Sequence, residues 1–279
     1  RMSERYFVAE PIHSDRVCLR GPEAHHLLHV MRARVGDRTL LFNGSGWEFE
    51  AELVQATRQE AHLRICRRAY VDRELPVLLV LGVALPKGDR QKWLVEKAVE
   101  LGVARLTPLL TDRSVAHPGP GMLDRLHRSV IEASKQCGRN VLMQIEGPMS
   151  WSEWLSAYPT AQLRWVAHPS GPTAWPESSR LQTPNQLPNG IGLPGLPAIP
   201  PGVAPTPPTK PLWAVAVGPE GGWTDAELAA AQSAGWQLLG LGPRILRTET
   251  AALTLAALLA AGAAGLLAPE SATPPGSPG

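Results

Sequence analysis

Two textures of apolar and polar positions divide the chain. Over the first 70 residues the apolar positions come in short alternating runs, "DRTLLF", "WEFEAELV" and "AHLRIC", the period-2 pattern of strands that bury one face. Asn43-Gly44-Ser45-Gly46, between the first two, is hairpin turn chemistry. One segment breaks the alternation. "GPEAHHLLHVMRAR" puts Leu27, Leu28 and Met31 at helical spacing, with Arg32 and Arg34 leaving its end and Gly36-Asp37 stopping it. Short strands around one helix predict a small β-barrel over residues 1–73.

After "VDREL" the period changes. Pro76 to Leu85 is a continuous apolar run, as expected of a strand covered on both faces. "KGDRQKWLVEKAVELG" follows as an amphipathic helix with Asp89 as its cap, Leu94, Ala98 and Leu101 on one face, and Gly102 as its stop. "VARLTPLL" is the next strand, Met122 to Cys137 the next helix, and "LRWVA" and "LWAVAV" are further strands. Thr224-Asp225-Ala226-Glu227 is a capping box that opens another helix. Alternating strands and helices predict a parallel α/β domain over residues 74–268. Between Pro169 and Pro211 both patterns stop: thirteen of the 28 prolines fall there. Such a stretch supplies few ladder hydrogen bonds and little core, so 169–211 is expected to be a mobile insertion and 269–279 a disordered tail.

Composition narrows the function classes. A formal charge of +2 does not announce a polyanion partner, although arginine greatly outnumbers lysine in the first 70 residues; composition permits RNA without demanding it. Cys18, Cys66 and Cys137 are odd in number and far apart, which points away from a disulfide framework or zinc site and toward a cytoplasmic location. The N-terminal residues carry no apolar signal region. Ala251 to Ala268 is uncharged but rich in alanine and glycine, which reads as a buried or subunit-contact helix in a homodimer rather than a membrane span. His25 and His29 lie one turn apart, but no thiol or carboxylate at ligand spacing accompanies them, so no metal is expected.

The candidate chemistry sits near the C-terminal end. "AVAVGPEGGWTDAEL" is strand, glycine loop and helix start, a layout that cradles nucleotides. It lacks the lysine of a phosphate loop and the spacing of a dinucleotide fingerprint, and it carries Glu220 where a phosphate would be repelled. "LLGLGPRILRTETAALTL" repeats the layout with Gly242-Pro243. Two such turns at the carboxyl ends of neighbouring strands build one crevice. A ligand that tolerates a carboxylate and seeks backbone contacts is better matched by S-adenosylmethionine, a cationic sulfonium without phosphate, than by ATP or NAD. The candidate cofactor contacts are Val217, Gly218, Gly221 and Gly222 in the first turn, and Leu241, Gly242, Ile245, Leu246 and Thr248 in the second.

These two stretches resemble the signature of the SPOUT methyltransferases, and within them the ribosomal RNA small-subunit methyltransferase E family. "KGDRQKWLVEKAVELGVARLTPLLTDRSV", "RYFV" and "HHLLHVMRARVGD" are similar to that family as well. The likeness spans nearly the whole chain except 169–211 and the tail; Ala133 to Arg139 keeps only part of the expected polar pattern. The resemblance implies an α/β fold with a SPOUT-type knotted parallel sheet, helices on both faces, preceded by a PUA-like β-barrel that binds RNA. It also implies a homodimer, S-adenosylmethionine as methyl donor without a metal, and methylation at N3 of one uridine of 16S ribosomal RNA, free or in the assembled small subunit. Two alternatives stay open: methylation of tRNA ribose, and a non-catalytic RNA-binding module.

Uracil N3 carries a proton, and its anion spreads charge onto two carbonyl oxygens, so a base and a stabilising cation are needed. Glu220 is the candidate base and Arg247 the candidate cation; the alternative is that they pair with each other and hold the turns together. Arg5, Arg32, Arg34, Lys87 and Arg139 are the candidate RNA contacts.

Overall fold

The computed structural model describes residues 4–116, 118–173 and 209–266. Five N-terminal strands, β1 (Arg5–Phe7), β2 (Arg16–Leu19), β3 (Arg38–Phe42), β4 (Trp47–Ala56) and β5 (Ala61–Tyr70), form one sheet in the order β1-β3-β4-β5-β2. The expected hairpin joins β3 to β4, with Gly44 at φ 83° and Gly46 at φ 89°, left-handed values that favour glycine. Register shifts at Glu50/Ala51 and Leu53/Gln55 bend β4 against β5. Such irregularities raise the local twist, and the sheet curls around Tyr6, Leu41, Leu53 and Leu63, all buried. β1 runs parallel to β3, a pairing that alternation alone does not reveal.

The helical segment of this lobe differs from its sequence pattern. A five-residue α1 (Gly21–His25) passes directly into a π-helical turn, His26–Val30. Met31 N–H donates to the His26 carbonyl, five residues back. The wider turn rotates Met31 off the face that buries Leu27, so Met31 is exposed where α-helical spacing predicts it buried. Arg32 then takes a left-handed conformation, φ 55°.

The second sheet contains β6 (Leu78–Val83), β7 (Arg105–Leu110), β8 (Gln144–Ile145), β9 (Met149–Ser150), β10 (Leu163–Ala167), β11 (Leu212–Val217) and β12 (Gln237–Leu239). The order is β12-β10-β11-β6-β7-β8, with β9 also on β7, and every pairing is parallel. The uninterrupted apolar strands serve two cores. Leu79, Leu81, Val83 and Val215 face α2 (Arg90–Glu100), α3 (Pro120–Cys137) and α6 (Thr248–Ala263). Val80, Val166, Ala214 and Ala216 face α4 (Trp151–Ala157) and α5 (Asp225–Ser233), with Trp151, Trp154 and Trp236 filling that side. Helices on both faces of a parallel sheet are the expected class. The capping box at Thr224 forms as expected, whereas Asp89 makes no side-chain cap bond because its own backbone is already helical.

The chain crosses itself at the edge of this sheet. β12 lies outside β10, yet α6, which follows it, packs back on β6, β11 and α2. To return, the segment after β12 passes against residues 168–172: His168 N–H donates to Leu239 O at 3.0 Å and Gly240 N–H to Pro172 O at 3.0 Å. This is the crossing a threaded C-terminal segment makes. The insertion expected at 169–211 lies mostly outside the described residues, and the tail expected at 269–279 lies wholly outside them.

Two arginines expected to meet RNA are instead committed to the junction between the lobes. Arg139 is 4% exposed; it forks onto the Glu74 carboxylate and donates to Val99 O and Val103 O at 3.0 and 2.9 Å. Arg5 donates to Glu48 and to Asn140 Oδ1, each at 2.6 Å. Arg139 and the two terminal nitrogens of Arg5 are engaged within the protein, Arg5 Nε being buried without a partner among the described residues, which corrects the expectation that they grip phosphates.

Candidate active site

The two glycine turns leave the carboxyl ends of β11 and β12 beside the end of β10, and together they wall a cleft of about 320 Å³. Val217, Gly218 and Gly222 line it from the first turn; Leu241, Gly242, Ile245, Leu246 and Thr248 line it from the second. Thr248 Oγ1 donates to Gly218 O at 3.1 Å and ties the turns together. Gly218 lies under Trp223: a Cβ there would sit 2.8 Å from the indole. That indole in turn donates through Nε1 to Ala167 O at 3.1 Å. Gly222 at φ 72° and Gly242 at φ 103° need glycine for their backbone angles, and both face open space.

Gly221 does not line the cleft. Its carbonyl accepts from Arg113 Nη1 at 2.8 Å, and a Cβ there would meet the Arg113 side chain at 3.1 Å. Gly221 shapes the loop from behind. Ile245 is 92% exposed at the rim, so it covers the cleft from one side only.

The charges differ from the sequence pattern in one decisive respect. Glu220 pairs with Arg90, at the first turn of α2, and not with Arg247. Arg90 Nη1 also lies 3.5 Å from Glu249 Oε1, and Glu249 is buried in the first turn of α6. The contact with Glu220 raises the pKa of the Arg90 guanidinium further. Arg247 is the exposed N-cap residue of α6 and has no acidic partner among the described residues. Arg113 and Arg244 line the cleft too, so Glu220 alone does not set its sign. Arg90, Arg113 and Trp223 were not anticipated as site residues. Arg90 stands more than a hundred residues from the glycine turns, in a stretch that reads as an ordinary amphipathic helix.

Arg32 and Arg34 are exposed at the end of the π-helical turn, and Lys87 is exposed just past β6. Lys87 stands between β6 and α2, three residues before Arg90. The His25 and His29 rings lie 5.0 Å apart, tilted by 44°, and His29 Nε2 is already bonded to Arg58 O at 3.1 Å. Among the described residues one group with metal-binding chemistry comes together elsewhere: Cys18, Glu60 and His62 have ligand atoms within 4.8 Å. Arg20 Nε pairs with Glu60 Oε1 at 2.8 Å, and His62 Nε2 lies 3.3 Å from Oε2.

Comparison with known proteins agrees on both lobes. A family model described as an RNA methyltransferase domain matches residues 73–260, and one described as an RNA methyltransferase PUA domain matches residues 19–66. The chain is 30% identical over 254 residues to the ribosomal RNA small subunit methyltransferase E of Synechocystis, covering 90% of this chain and 75% of that protein. It is 28% identical to the enzyme of the same name from Bacillus subtilis, covering 84% and 85%. A Legionella pneumophila methyltransferase solved with its bound cofactor SAM superposes with a TM-score of 0.77 at 28% identity, covering 94% of this chain and 98% of that one. A ribosomal RNA small subunit methyltransferase E from Neisseria gonorrhoeae, bound to S-adenosyl methionine, superposes with a TM-score of 0.74 at 28% identity, covering 92% and 96%.

Proposed function

The chain belongs to the RNA methyltransferase family, with the ribosomal RNA small subunit methyltransferases E, and from that premise we propose that it methylates N3 of a uridine in 16S ribosomal RNA with S-adenosylmethionine as donor. The observation that carries this reading is the cleft: two glycine turns tied by Thr248, with a carboxylate at the rim and, at the adjoining helix start, an arginine that has no acidic partner among the described residues. The cleft suits the donor. Its volume is near the lower end of ligand pockets, roughly 300–1,000 Å³. Gly222 and Gly242 leave bare backbone facing open space, and charges of both signs suit an amino acid that also carries a sulfonium.

S-adenosylmethionine supplies a methyl group on a cationic sulfur; everything else falls to the chain. Glu220 accepts the N3 proton of uracil. The electron pair of that N–H bond stays on nitrogen, which would take the methyl group that the bound donor supplies, the sulfonium becoming a neutral thioether. Arg247 faces the charge that grows on the uracil oxygens. Trp223 and Ile245 help exclude water around an in-line displacement. The paired edge of uracil is hidden in duplex RNA, so the target base must be unstacked. Arg32, Arg34 and Lys87 hold phosphates of the RNA, free or in the assembled subunit, in the cytoplasm. Residues 1–73 serve RNA binding and 74–268 the transfer. Half-exposed Leu253, Ala257, Leu258 and Ala261 on α6 offer a second copy an apolar face for a homodimer.

Glu220→Gln keeps the shape and removes the base. Single-turnover methyl transfer should slow by roughly 100-fold with near-normal cofactor affinity, and the defect should ease at high pH as uridine ionises unaided. Normal turnover with weakened cofactor binding would remove Glu220 from the chemistry.

A further inference from the structure

The buried acid that this chemistry leaves unused is Glu249. Its side chain is 7% exposed, and Oε2 has no hydrogen-bond partner among the described residues. A carboxylate withdrawn from water needs direct donors or a close cation, and Glu249 has only Arg90 Nη1, at 3.5 Å from Oε1. The same Nη1 donates to Glu220 Oε1, although Glu220 is 43% exposed and has water available. One guanidinium is therefore shared by two carboxylates, and the acid that needs it more has the longer contact. The other cations nearby do not serve it: Arg113 donates to the Gly221 carbonyl, and neither Arg244 nor Arg247 makes an ion pair among the described residues.

We propose that Glu249 is a positioning residue that draws Arg90 off Glu220 when RNA enters the cleft, so that Glu220 is released to take the uracil proton. A cation on a carboxylate makes it a weaker base. With Arg90 on Glu220 an oxygen that must take the uracil proton is covered; with Arg90 on Glu249 the buried acid gains its missing donor and that oxygen of Glu220 is uncovered. Arg90 begins a helix packed against α6, and its side chain is about one-third exposed, so a short swing of its outer end makes the exchange without moving the backbone. The inference rests on the reading of Glu220 as the base.

The test is single-turnover methyl transfer to 16S ribosomal RNA across pH, with S-adenosylmethionine affinity measured alongside by tryptophan fluorescence. In Glu249→Gln, Arg90 stays on Glu220. Cofactor affinity should hold within about twofold, the rate should fall roughly tenfold or more, and the acid limb of the profile should move to lower pH. Glu249→Asp should restore part of the rate. The double variant Arg90→Gln/Glu249→Gln leaves no unpaired buried charge; it should be faster than Glu249→Gln alone, with its acid limb moved to higher pH. An unchanged profile in Glu249→Gln, or a double variant no faster than that single one, overturns the proposal. Glu220→Gln separates the two readings: if it transfers methyl normally, the base assignment and this inference fall together, whereas a slow Glu220→Gln beside a wild-type Glu249→Gln removes this inference alone.

Discussion

At Gly218 an indole ring fills the space a side chain would need. A Cβ at that position would lie 2.8 Å from Trp223 Cε2 and 2.9 Å from Nε1, so Gly218→Ala must push the ring away and strain its bond to Ala167 O. The ring also carries one wall of the cleft. We expect S-adenosylmethionine affinity to fall by roughly tenfold or more, from the loss of about one good hydrogen bond and its packing. Isothermal titration checks it, and an unchanged affinity would show that Trp223 does not shape the cradle. The glycines of both turns were legible because left-handed and crowded positions leave so few alternatives to glycine. Arg90 was not, since nothing local marks an arginine on an amphipathic helix as the partner of a carboxylate that lies 130 positions away. Arg139 misled for the opposite reason: a basic residue after a helix reads as exposed, and only tertiary structure shows Glu74 and two carbonyls waiting for it.

Between elements, the contact that most constrains the fold is the crossing of residues 168–172 over the chain leaving β12. Gly171 and Gly240 meet backbone to backbone: a Cβ on Gly240 would lie 2.5 Å from Gly171 O, and one on Gly171 would lie 2.7 Å from Leu239 and Gly240 backbone atoms. Neither backbone can yield without breaking the two hydrogen bonds that join them. Gly240→Ala should therefore cost about 2 kcal/mol or more, at the upper part of the range for overpacked sites, read as a lowered midpoint in urea. A midpoint within error of wild type would mean that the crossing is loose. Strands β6, β7, β10 and β11 were legible from their apolar runs, and α5 from its capping box. The parallel pairing of β1 with β3 was not, because a three-residue strand carries no measurable period. The π-helical turn was missed as well: His26 to Val30 satisfies an α-helical pattern until the hydrogen bond from Met31 skips to the fifth residue back.

For the whole molecule, the junction between the two lobes decides how the RNA-facing arginines stand relative to the cleft. Arg5 and Arg73 both converge on Glu48, Arg73 also holds Gly138 O at 2.9 Å, and Lys135 holds Glu23 at 2.9 Å. Burial pushes the Glu48 carboxyl up, but the hydrogen bonds from Arg73 and Arg5 outweigh it and hold the pKa below its ordinary value of 4.5. A depressed folded-state pKa contributes stability that is present above the ordinary value and is lost as pH falls through the folded one. The melting temperature should accordingly drop as the solution is acidified below about 4.5, and Glu48→Gln should flatten that drop; an identical acid dependence in the variant would remove Glu48 from the junction's energetics. No helix among the described residues is long and apolar enough to cross a membrane. The measurement that tests the whole account most directly is nucleoside mapping by mass spectrometry of 16S ribosomal RNA, lacking its own N3-methyluridine, after incubation with this protein and isotopically labelled S-adenosylmethionine. The account requires the label at N3 of a single uridine of that RNA; label on a ribose oxygen, on another base, or nowhere in free RNA and assembled small subunits alike would contradict it.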